Sequence, residues 1–381
     1  MKYKKILVIT SRYPYPVRGG DKLRISEIIK FLSKKNSIDL ISIGKNKKKI
    51  SFINKQYLFN NNFFDQILNI INSFLKNEPL QVGLYKVPKM KKKIENIQKK
   101  YDVIIFHLIR TTYYLPKKFK GIKILEMTDL ISKNYKTVQR NLSIFNPLKY
   151  LYNYERKKLN RYELKESHKF DRIVLVNKDD ITNSTIKNNR NLSIIGNGTI
   201  LKNNIFFNGK KKNNIIFFGN INSLANRSAC IDFIKNYLPY LKNNLPNLKF
   251  KILGNCSNFL KIYFKLQGVE VISDIKELAN YSKYTLAGIC NVQIQSGLQN
   301  KVLDYASIGL PVLINKTSNN FKFLSNKDVL IFNNNHEFFV QLNKLVSNSE
   351  FGKKISKSSH MKIKKYYNWN NILKQYSKII R

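Results

Sequence analysis

The sequence predicts an α/β protein with two doubly wound domains in tandem that face a central cleft. Three observations support this fold class. The 381 residues exceed what one hydrophobic core usually organises. The chain opens with a strand, a glycine loop, a helix and a second strand, and the same order starts again near residue 215. We place the domains at residues 1–200 and 201–365, and expect a C-terminal helix within 366–381 to pack back toward the first domain.

The first domain follows from alternating strand and helix patterns. Residues 6–9 are apolar β-formers and lead into a Pro- and Gly-rich loop that ends at Gly19-Gly20. From Asp21, a good N-cap residue, apolar residues recur at helical spacing as far as Leu32. The following strands are predicted at residues 38–43, 103–106, 122–126 and 173–176, with a long helix over residues 148–168. Together these elements form a Rossmann-like half.

The second domain repeats this pattern after a polar linker at residues 202–214. A strand at 215–218 ends in the turn Gly219-Asn220, and a helix is predicted over 229–241. Further strands are predicted at 248–253, 270–272 and 285–289, and a last helix at 370–380. In such a fold the loops at the strand C-termini and the helix N-termini point into the ligand crevice.

The charge of the chain is strongly positive, with 69 Lys and Arg against 23 Asp and Glu, or +46. The lysines stand in short scattered runs among Asn and Ile, whereas nucleic-acid binders cluster basic residues with exposed aromatics. We therefore expect no dedicated nucleic-acid binding, and favour attraction to anionic lipid headgroups. One stretch could give a basic and aromatic face toward lipid, although an ordinary amphipathic helix is favoured there; its residues are Tyr150, Tyr152, Tyr154, Tyr162, Lys157, Lys158 and Arg161.

Cysteine spacing and hydropathy suggest a compartment. Cys230, Cys256 and Cys290 lie far apart without metal-ligand spacing, which is typical of buried thiols in a reducing environment. The apolar run at the N-terminus is too short for a signal peptide, and no stretch approaches the roughly 18 apolar residues of a membrane span. We expect a cytoplasmic protein, with at most peripheral contact at the inner face of the membrane, and no metal site or resident cofactor.

The segment at residues 296–313 has the clearest chemical pattern, SGLQNKVLDYASIGLPVL. A glycine loop opens a helix whose free N–H groups can receive a phosphate or a sugar hydroxyl. Lys301 lies one turn before Asp304 on the same helix face. A cation and a carboxylate so placed can hold a diphosphate and the two hydroxyls of a ribose.

These residues resemble a known family. The pattern G-x-Q-N-K-x-L-[DE]-x-A-x-x-G-x-P-V is similar to the donor-binding signature of family 4 glycosyltransferases of the GT-B fold. The opening residues 10–14 with Gly19, Gly20 and Arg24 resemble the first loop of that family. Phe218-Gly219-Asn220 with Asn226, and the closing Tyr-x-Trp, are similar to a subgroup that makes bacterial surface polysaccharides.

The resemblance implies a retaining, metal-independent transfer of a sugar from a nucleotide diphosphate sugar to a saccharide or lipid-linked acceptor in surface glycan synthesis. It implies that Asp304 holds the ribose and that Lys301 neutralises the diphosphate. Lys301 and Asp129 are the catalytic candidates, and Arg24 and His107 are expected to contact acceptor or phosphate. The donor-binding candidates are Gly19, Gly20, Gly219, Asn220, Arg227, Ser296, Gly297, Leu298, Gln299, Asn300 and Asp304.

The chain departs from the family pattern at three places. The first acid of the usual E-x7-E pair has no carboxylate match, because Gln293, Gln295 and Ser296 occupy that region. Thr128 stands where many members have a histidine. Asn220, with Arg227 nearby, replaces the usual basic clamp after the first strand of the second domain.

Two other functions stay open at this point. A basic, non-catalytic scaffold that binds membrane or nucleic acid would be consistent with the missing first acid. A nucleotide-sugar epimerase on the same fold would require more acids, and a histidine in the cleft, than the sequence offers. The position of the positive charge relative to the sugar site would separate a scaffold from a transferase.

Overall fold

A computed structural model describes residues 3–17, 19–45, 49–181, 186, 190–201, 207, 212–273, 275–293, 298–319 and 321–381. The chain forms two compact units: Met1–Gly196 together with Leu373–Arg381, and Asn197–Ile372. Of the linker predicted at 202–214, residues 202–206 and 208–211 lie outside the described part of the chain.

The first unit is built on one parallel sheet. Its strands are β1 (Lys5–Thr10), β2 (Ser37–Ile43), β3 (Lys55–Phe59), β4 (Val103–His107), β5 (Ile122–Thr128), β6 (Arg172–Leu175) and β7 (Leu192–Ile194). They lie in the order β3-β2-β1-β4-β5-β6-β7, and every pairing is parallel. The central strands β1 and β4 are buried nearly throughout, as expected of a sheet covered by helices on both faces.

In the described part of the chain before Gly196, the α-helices of this unit are α1 (Gly20–Ser33), α2 (Phe63–Leu75), α3 (Leu80–Gly83), α4 (Pro88–Ile97), α5 (Ile131–Asn141) and α6 (Pro147–Ser167). Short 3₁₀ turns cover Gln98–Lys100, Ile109–Tyr114 and Lys178–Asp180. The N-cap of α1 is Gly19 and not Asp21 as the sequence predicts. Asp21 lies inside the first turn, where its carboxylate accepts a hydrogen bond from the Arg12 guanidinium at 2.5 Å.

The second unit has a six-stranded parallel sheet. Its strands are β8 (Asn214–Phe218), β9 (Lys249–Leu253), β10 (Glu270–Ile272), β11 (Thr285–Cys290), β12 (Val312–Asn315) and β13 (Leu330–Phe332), in the order β10-β9-β8-β11-β12-β13. Its helices are α7 (Leu224–Asn236), α8 (Leu238–Asn244), α9 (Asn258–Leu266), α10 (Asn300–Ser307), α11 (Asn335–Ser347), α12 (Ser349–Tyr366) and α13 (Trp369–Leu373). Short 3₁₀ turns cover Leu278–Tyr284 and Lys316–Ser318.

Two helix predictions are wrong in their bounds. The helix expected over residues 229–241 begins earlier, at the Ser223 cap, and divides into α7 and α8. Pro239 explains the division, because proline cannot donate the hydrogen bond that would continue α7. The helix expected over 370–380 is two short ones, α13 and α14 (Tyr376–Ile379), and the second lies in the first unit.

The predicted fold class of two doubly wound parallel α/β domains is confirmed. The three cysteines are free and buried, also as predicted. Among the described residues, no helix combines the length and the hydrophobicity that crossing a membrane requires.

Candidate active site

The strand order of the second sheet reverses between β8 and β11, and this reversal marks the expected ligand position in a doubly wound unit. The carboxyl end of β8 leads into Gly219 and Asn220. The carboxyl end of β11 leads into the segment before α10. Parallel strands end at the same edge of a sheet, so the donor candidates of this unit come from loops at one edge.

The turn between β8 and α7 is held by a side-chain network. Asn226, in the first turn of α7, donates from Nδ2 to the Asn220 carbonyl at 2.9 Å. A Cβ atom at residue 219 would lie 2.8 Å from that same Nδ2, so a larger residue there would push the Asn226 amide out of this contact. The Ser223 side chain caps α7 by accepting a hydrogen bond from the Asn226 N–H. Asn226 thus links Gly219 and Asn220 to the start of α7.

Lys301 joins this network from α10. Its Nζ donates to Asn226 Oδ1 at 2.7 Å and lies 3.9 Å from the ring centroid of Phe217. Lys301 is only 7% exposed, and burial lowers its pKa to about 8. The structure therefore brings together Gly219, Asn220 and Lys301, with Asn226 as their common contact.

Asp304 lies one helical turn beyond Lys301 on α10 and is half-buried. Burial raises the pKa of Asp304 to about 7, and the Lys301 charge opposes this rise. A carboxyl group with this pKa is close to its ionisation point at neutral pH, and hydrogen bonds donated to its charged form would favour ionisation.

Helix α10 is fixed on two sides. The Tyr305 hydroxyl accepts a hydrogen bond from the Phe218 N–H at 2.7 Å, at the end of β8. From α12, Ser356 Oγ donates to the Gly309 carbonyl at 2.5 Å, and His360 Nδ1 lies 3.0 Å from the Ala306 carbonyl. Sequence reasoning gave His360 no role, but it is buried and positions the helix that holds Lys301 and Asp304.

The other donor candidates have simpler surroundings. Leu298 and Gln299 are half-buried just before α10, and Asn300 Oδ1 accepts a hydrogen bond from Asn197 Nδ2 at 2.9 Å. Arg227 lies in the first turn of α7, where its N–H donates to the Ser223 carbonyl. Two further candidates, Ser296 and Gly297, lie outside the described residues, as does Gln295.

In the first sheet the strand order reverses between β1 and β4, and the loop after β1 contains Gly19 and Gly20. Gly19 has a φ of 94°, a conformation that side chains other than glycine rarely adopt. Its carbonyl accepts the hydrogen bond from Leu23 N that starts α1. Gly20 begins the helix, so this loop places the N-terminus of α1 at the carboxyl edge of the sheet.

The sequence prediction that Arg24 contacts phosphate or acceptor is wrong, because Arg24 forms a buried ion pair with Glu126. Its side chain and that of Glu126, on β5, are both 0% exposed. Arg24 Nε donates to Glu126 Oε1 at 2.8 Å, Nη2 reaches Oε2 at 3.3 Å, and Nη1 donates to the Gly196 carbonyl at 2.9 Å. Arg24 therefore ties α1 to the sheet. Sequence reasoning missed Glu126 as its partner, although an acid inside an apolar strand is a signal for a buried cation.

His107 ends β4 and is buried. Its Nε2 has no hydrogen-bond partner among the described residues. Burial lowers the pKa of His107 to about 3, against the opposing charge of Asp21, so the imidazole is neutral. A neutral ring with one free nitrogen can accept or donate a single hydrogen bond to a ligand, depending on its tautomer.

Asp129 follows β5 and is half-buried. Burial raises the pKa of Asp129 to about 7, with a further rise from the charge of Asp180. Two neighbouring positions have unusual backbone conformations. Thr128, directly before Asp129, has a φ of 65°, and Leu108, directly after β4, has a φ of 70°. Such strained positions cluster at functional sites, and here both lie where adjacent strands end.

Comparisons with known proteins agree with this architecture. Residues 235–378 match a family model described as Glycosyl transferase-like. An uncharacterized 44.6 kDa protein in the cps region of Klebsiella pneumoniae is 25% identical over 272 residues, which are 67% of this chain; the match spans 66% of the length of that relative.

Two solved structures are similar over nearly the whole chain. Anabaena Alr3699/HepE, in complex with UDP and glucose, has a TM-score of 0.67 at 12% identity and covers 99% of both chains. WaaG, a glycosyltransferase involved in lipopolysaccharide biosynthesis, has a TM-score of 0.66 at 10% identity and covers 98% of this chain and 99% of its own. The protein thus shares the GT-B fold of these structures, and its residues 235–378 match the family model described as Glycosyl transferase-like.

Proposed function

We propose that this protein transfers a sugar from a nucleotide diphosphate sugar to a saccharide or lipid-linked acceptor in the synthesis of a bacterial surface glycan. The observation that supports this most is the network of Asn220, Asn226 and Lys301, with Asp304 one turn away, at the reversal point of the second sheet. The HepE structure holds UDP and glucose, and the Klebsiella relative is a protein of a cps region.

In this proposal the second unit binds the donor. The Asp304 carboxylate accepts hydrogen bonds from the ribose hydroxyls, and the amides at Leu298 and Gln299 face the sugar and phosphates. Lys301 and the N-terminus of α10 offset the charge of the diphosphate. The leaving diphosphate gains negative charge as the glycosidic bond breaks, so fixed positive groups stabilise the transition state more than the ground state.

We propose retention of the anomeric configuration and transfer without a resident metal or cofactor, on the strength of the family resemblance. Lys301 and the helix N-terminus would supply the positive charge beside the leaving group. In the first unit, Asp129 and His107 are the proposed acceptor-side or phosphate-side residues. Both stand at strand ends, and His107 has a buried nitrogen without a hydrogen-bond partner among the described residues.

A thermal-shift screen tests the proposal directly. The purified protein is heated with UDP, GDP, ADP and their common sugar conjugates, and with single-stranded DNA at physiological salt as the control. A nucleotide that binds the folded protein raises Tm by mass action. A shift with one nucleotide supports the transferase. No nucleotide shift, together with a salt-sensitive shift from DNA, would overturn it in favour of the basic scaffold.

Asp304→Ala is expected to raise the donor Kd about 100-fold or more, because two hydrogen bonds from the ribose to a charged acceptor, each worth about 1.5–3 kcal/mol, are lost. Titration calorimetry with the nucleotide sugar identified in the screen measures the change. Asp304→Glu keeps the carboxylate and should bind within a few-fold of wild type. Glu270→Ala removes an exposed acid of the same unit as the control. Equal affinity of Asp304→Ala and Glu270→Ala would exclude Asp304 from the donor site.

Donor affinity should also have a pH optimum between about 7 and 8. As the pH rises through 7, Asp304 loses its proton and gains the charge that accepts hydrogen bonds. As the pH rises through 8, Lys301 loses its charge and no longer offsets the diphosphate. A nucleotide sugar is the appropriate probe, because its diphosphate lacks the terminal phosphate ionisation near pH 6.

Two variants separate the limbs of this profile. Asp304→Asn should remove the rise in affinity between pH 6 and 7, and Lys301→Arg should remove the fall above pH 8, because arginine stays charged. A wild-type Kd that is constant from pH 6 to pH 9.5 would contradict the assignment of both residues.

A further inference from the structure

The outer face of helix α2 is apolar. Seven large hydrophobic side chains of this one helix are 40–79% exposed: Phe63, Phe64, Ile67, Leu68, Ile71, Phe74 and Leu75. The stripe from Phe64 through Leu68 and Ile71 to Leu75 follows the helical repeat, so these residues share a face. Contiguous exposed apolar surface of this kind marks an interaction site.

The inner face of the same helix is polar. Gln66 Nε2 donates to the Asn61 carbonyl at 3.0 Å, and Asn69 Nδ2 donates to the Lys86 carbonyl at 3.0 Å. Ser73 is the fully buried residue of α2. This arrangement is the reverse of a helix that faces water, which buries its apolar stripe and exposes its polar one. The exposed apolar side of α2 therefore suits an apolar environment outside the first unit.

A second apolar segment lies beside it, at the turn into α6. Phe145 is 89% exposed, and Ile144, Leu148 and Leu151 are also exposed. The ring of Phe74, at the end of α2, lies 5.8 Å from the ring of Tyr154, one turn after Leu151. We call α2 together with residues 144–151 the apolar face of the first unit.

A basic cavity adjoins the apolar face. It has a volume of about 780 Å³ and is lined by eight basic and two acidic residues of the first unit. Both acids are already paired, Glu166 with Lys169 at 2.6 Å and Glu78 with Lys86. Six of the cations have no carboxylate within ion-pair distance in the described part of the chain: Lys76, Lys91, Lys117, Lys158, Arg161 and Lys165.

The two features meet at Lys158. Its Nζ lies 5.2 Å from the centroid of the Tyr154 ring, the same ring that Phe74 contacts. Lys76, another cavity residue, is the C-cap of α2. Apolar side chains and unpaired cations are therefore neighbours on one surface, which is the pattern of helices that lie in a membrane interface.

We propose that this surface docks the first unit on an anionic lipid bilayer, with the apolar face at the boundary of the acyl chains and the basic cavity over phosphate headgroups. The thirteen residues of α2 measure about 20 Å along the axis, which suits a helix lying in the interface plane. A second copy of this chain would place like charges opposite one another, and a nucleic acid would leave the apolar face in water. An anionic bilayer can cover the apolar face with acyl chains and place phosphate groups over the basic cavity.

Sedimentation of the 381-residue chain with vesicles tests this docking surface and needs no sugar transfer, so its outcome is independent of the proposed function. Binding is expected to vesicles of phosphatidylcholine with phosphatidylglycerol, and to be much weaker with phosphatidylcholine alone. Phe64→Ser with Leu68→Ser should lower the apparent affinity about tenfold. Lys158→Glu with Arg161→Glu should lower it more than tenfold.

Matched pairs in the second unit serve as controls. Phe259→Ser with Leu266→Ser removes two apolar residues from α9 that are at least as exposed as the test pair, and Lys354→Glu with Lys357→Glu makes the same charge change at the same spacing on α12. Both controls should bind as wild type does. Loss of binding in a control equal to that in its test pair overturns the proposal. The proposal is also overturned if Phe64→Ser with Leu68→Ser binds vesicles as tightly as wild type does. The same holds if the wild-type protein binds no vesicles but forms a dimer that this double variant abolishes.

Discussion

Lys301→Ala is expected to lower kcat about 100- to 1,000-fold, the usual effect of removing one fixed group that stabilises charge on a leaving atom. The lysine is held by Asn226 and by the Phe217 ring, so its ammonium is already placed before the donor binds. Steady-state rates of sugar transfer, or of donor hydrolysis, measure the change. The fall in kcat should exceed any rise in KM, because the interaction strengthens as the diphosphate leaves.

The matched control for this variant is Lys316→Ala, which removes an exposed lysine from the same unit. Lys301→Arg keeps the charge and should retain part of the activity. Thermal unfolding of each variant confirms that the second unit is folded. A Lys301→Ala protein with wild-type kcat and a raised KM would show that Lys301 only binds the donor.

Glu126→Ala should lower the free energy of unfolding of the first unit by about 3–5 kcal/mol, because it removes the carboxylate that pairs with the buried Arg24 guanidinium. Both side chains of this ion pair are fully buried, and Arg24 also holds the Gly196 carbonyl. A loss of this size lowers Tm by roughly 10 °C. Urea denaturation followed by circular dichroism, with amide hydrogen exchange in β1 and β5, would assign the loss to the first unit.

Two comparisons show whether the buried charge is the cause. The double variant Arg24→Leu with Glu126→Leu removes both charges and should recover much of the stability. Glu350→Ala breaks the pair of Lys353 with an exposed glutamate and should change stability by less than about 1 kcal/mol. If the double variant is no more stable than Glu126→Ala, the ion pair is not the source of the effect.

The central strands could be predicted from the sequence because buried parallel strands are short apolar runs. Strands β4 and β9 differ from their predicted bounds by a single residue at one end. The turn at Gly219-Asn220 and the helix with Lys301 and Asp304 were also predicted in place, because glycine and the periodicity of α10 are local signals. Elements whose signals lie close together in the sequence could therefore be predicted.

Contacts between distant residues could not be predicted in this way. Arg24 was expected to contact acceptor or phosphate, because nothing local in the sequence identifies its partner Glu126, which lies 102 positions away. His360 stands in a polar stretch, yet it is buried against a carbonyl 54 positions away. Helix α2 was not predicted, and the direction of its apolar stripe depends on what the rest of the first unit leaves uncovered.

The path of the chain has a consequence for its synthesis. The chain leaves the first unit after Gly196 and returns to it with Leu373–Arg381. In this last segment Tyr376 and Ile380 are buried, and α14 packs against α1. Domains generally fold as they leave the ribosome, N-terminal first. Here the N-terminal unit cannot finish its core until the whole second unit has been translated. A nascent chain stalled before residue 373 should therefore hold a closed second unit beside a first unit that is still open to proteases.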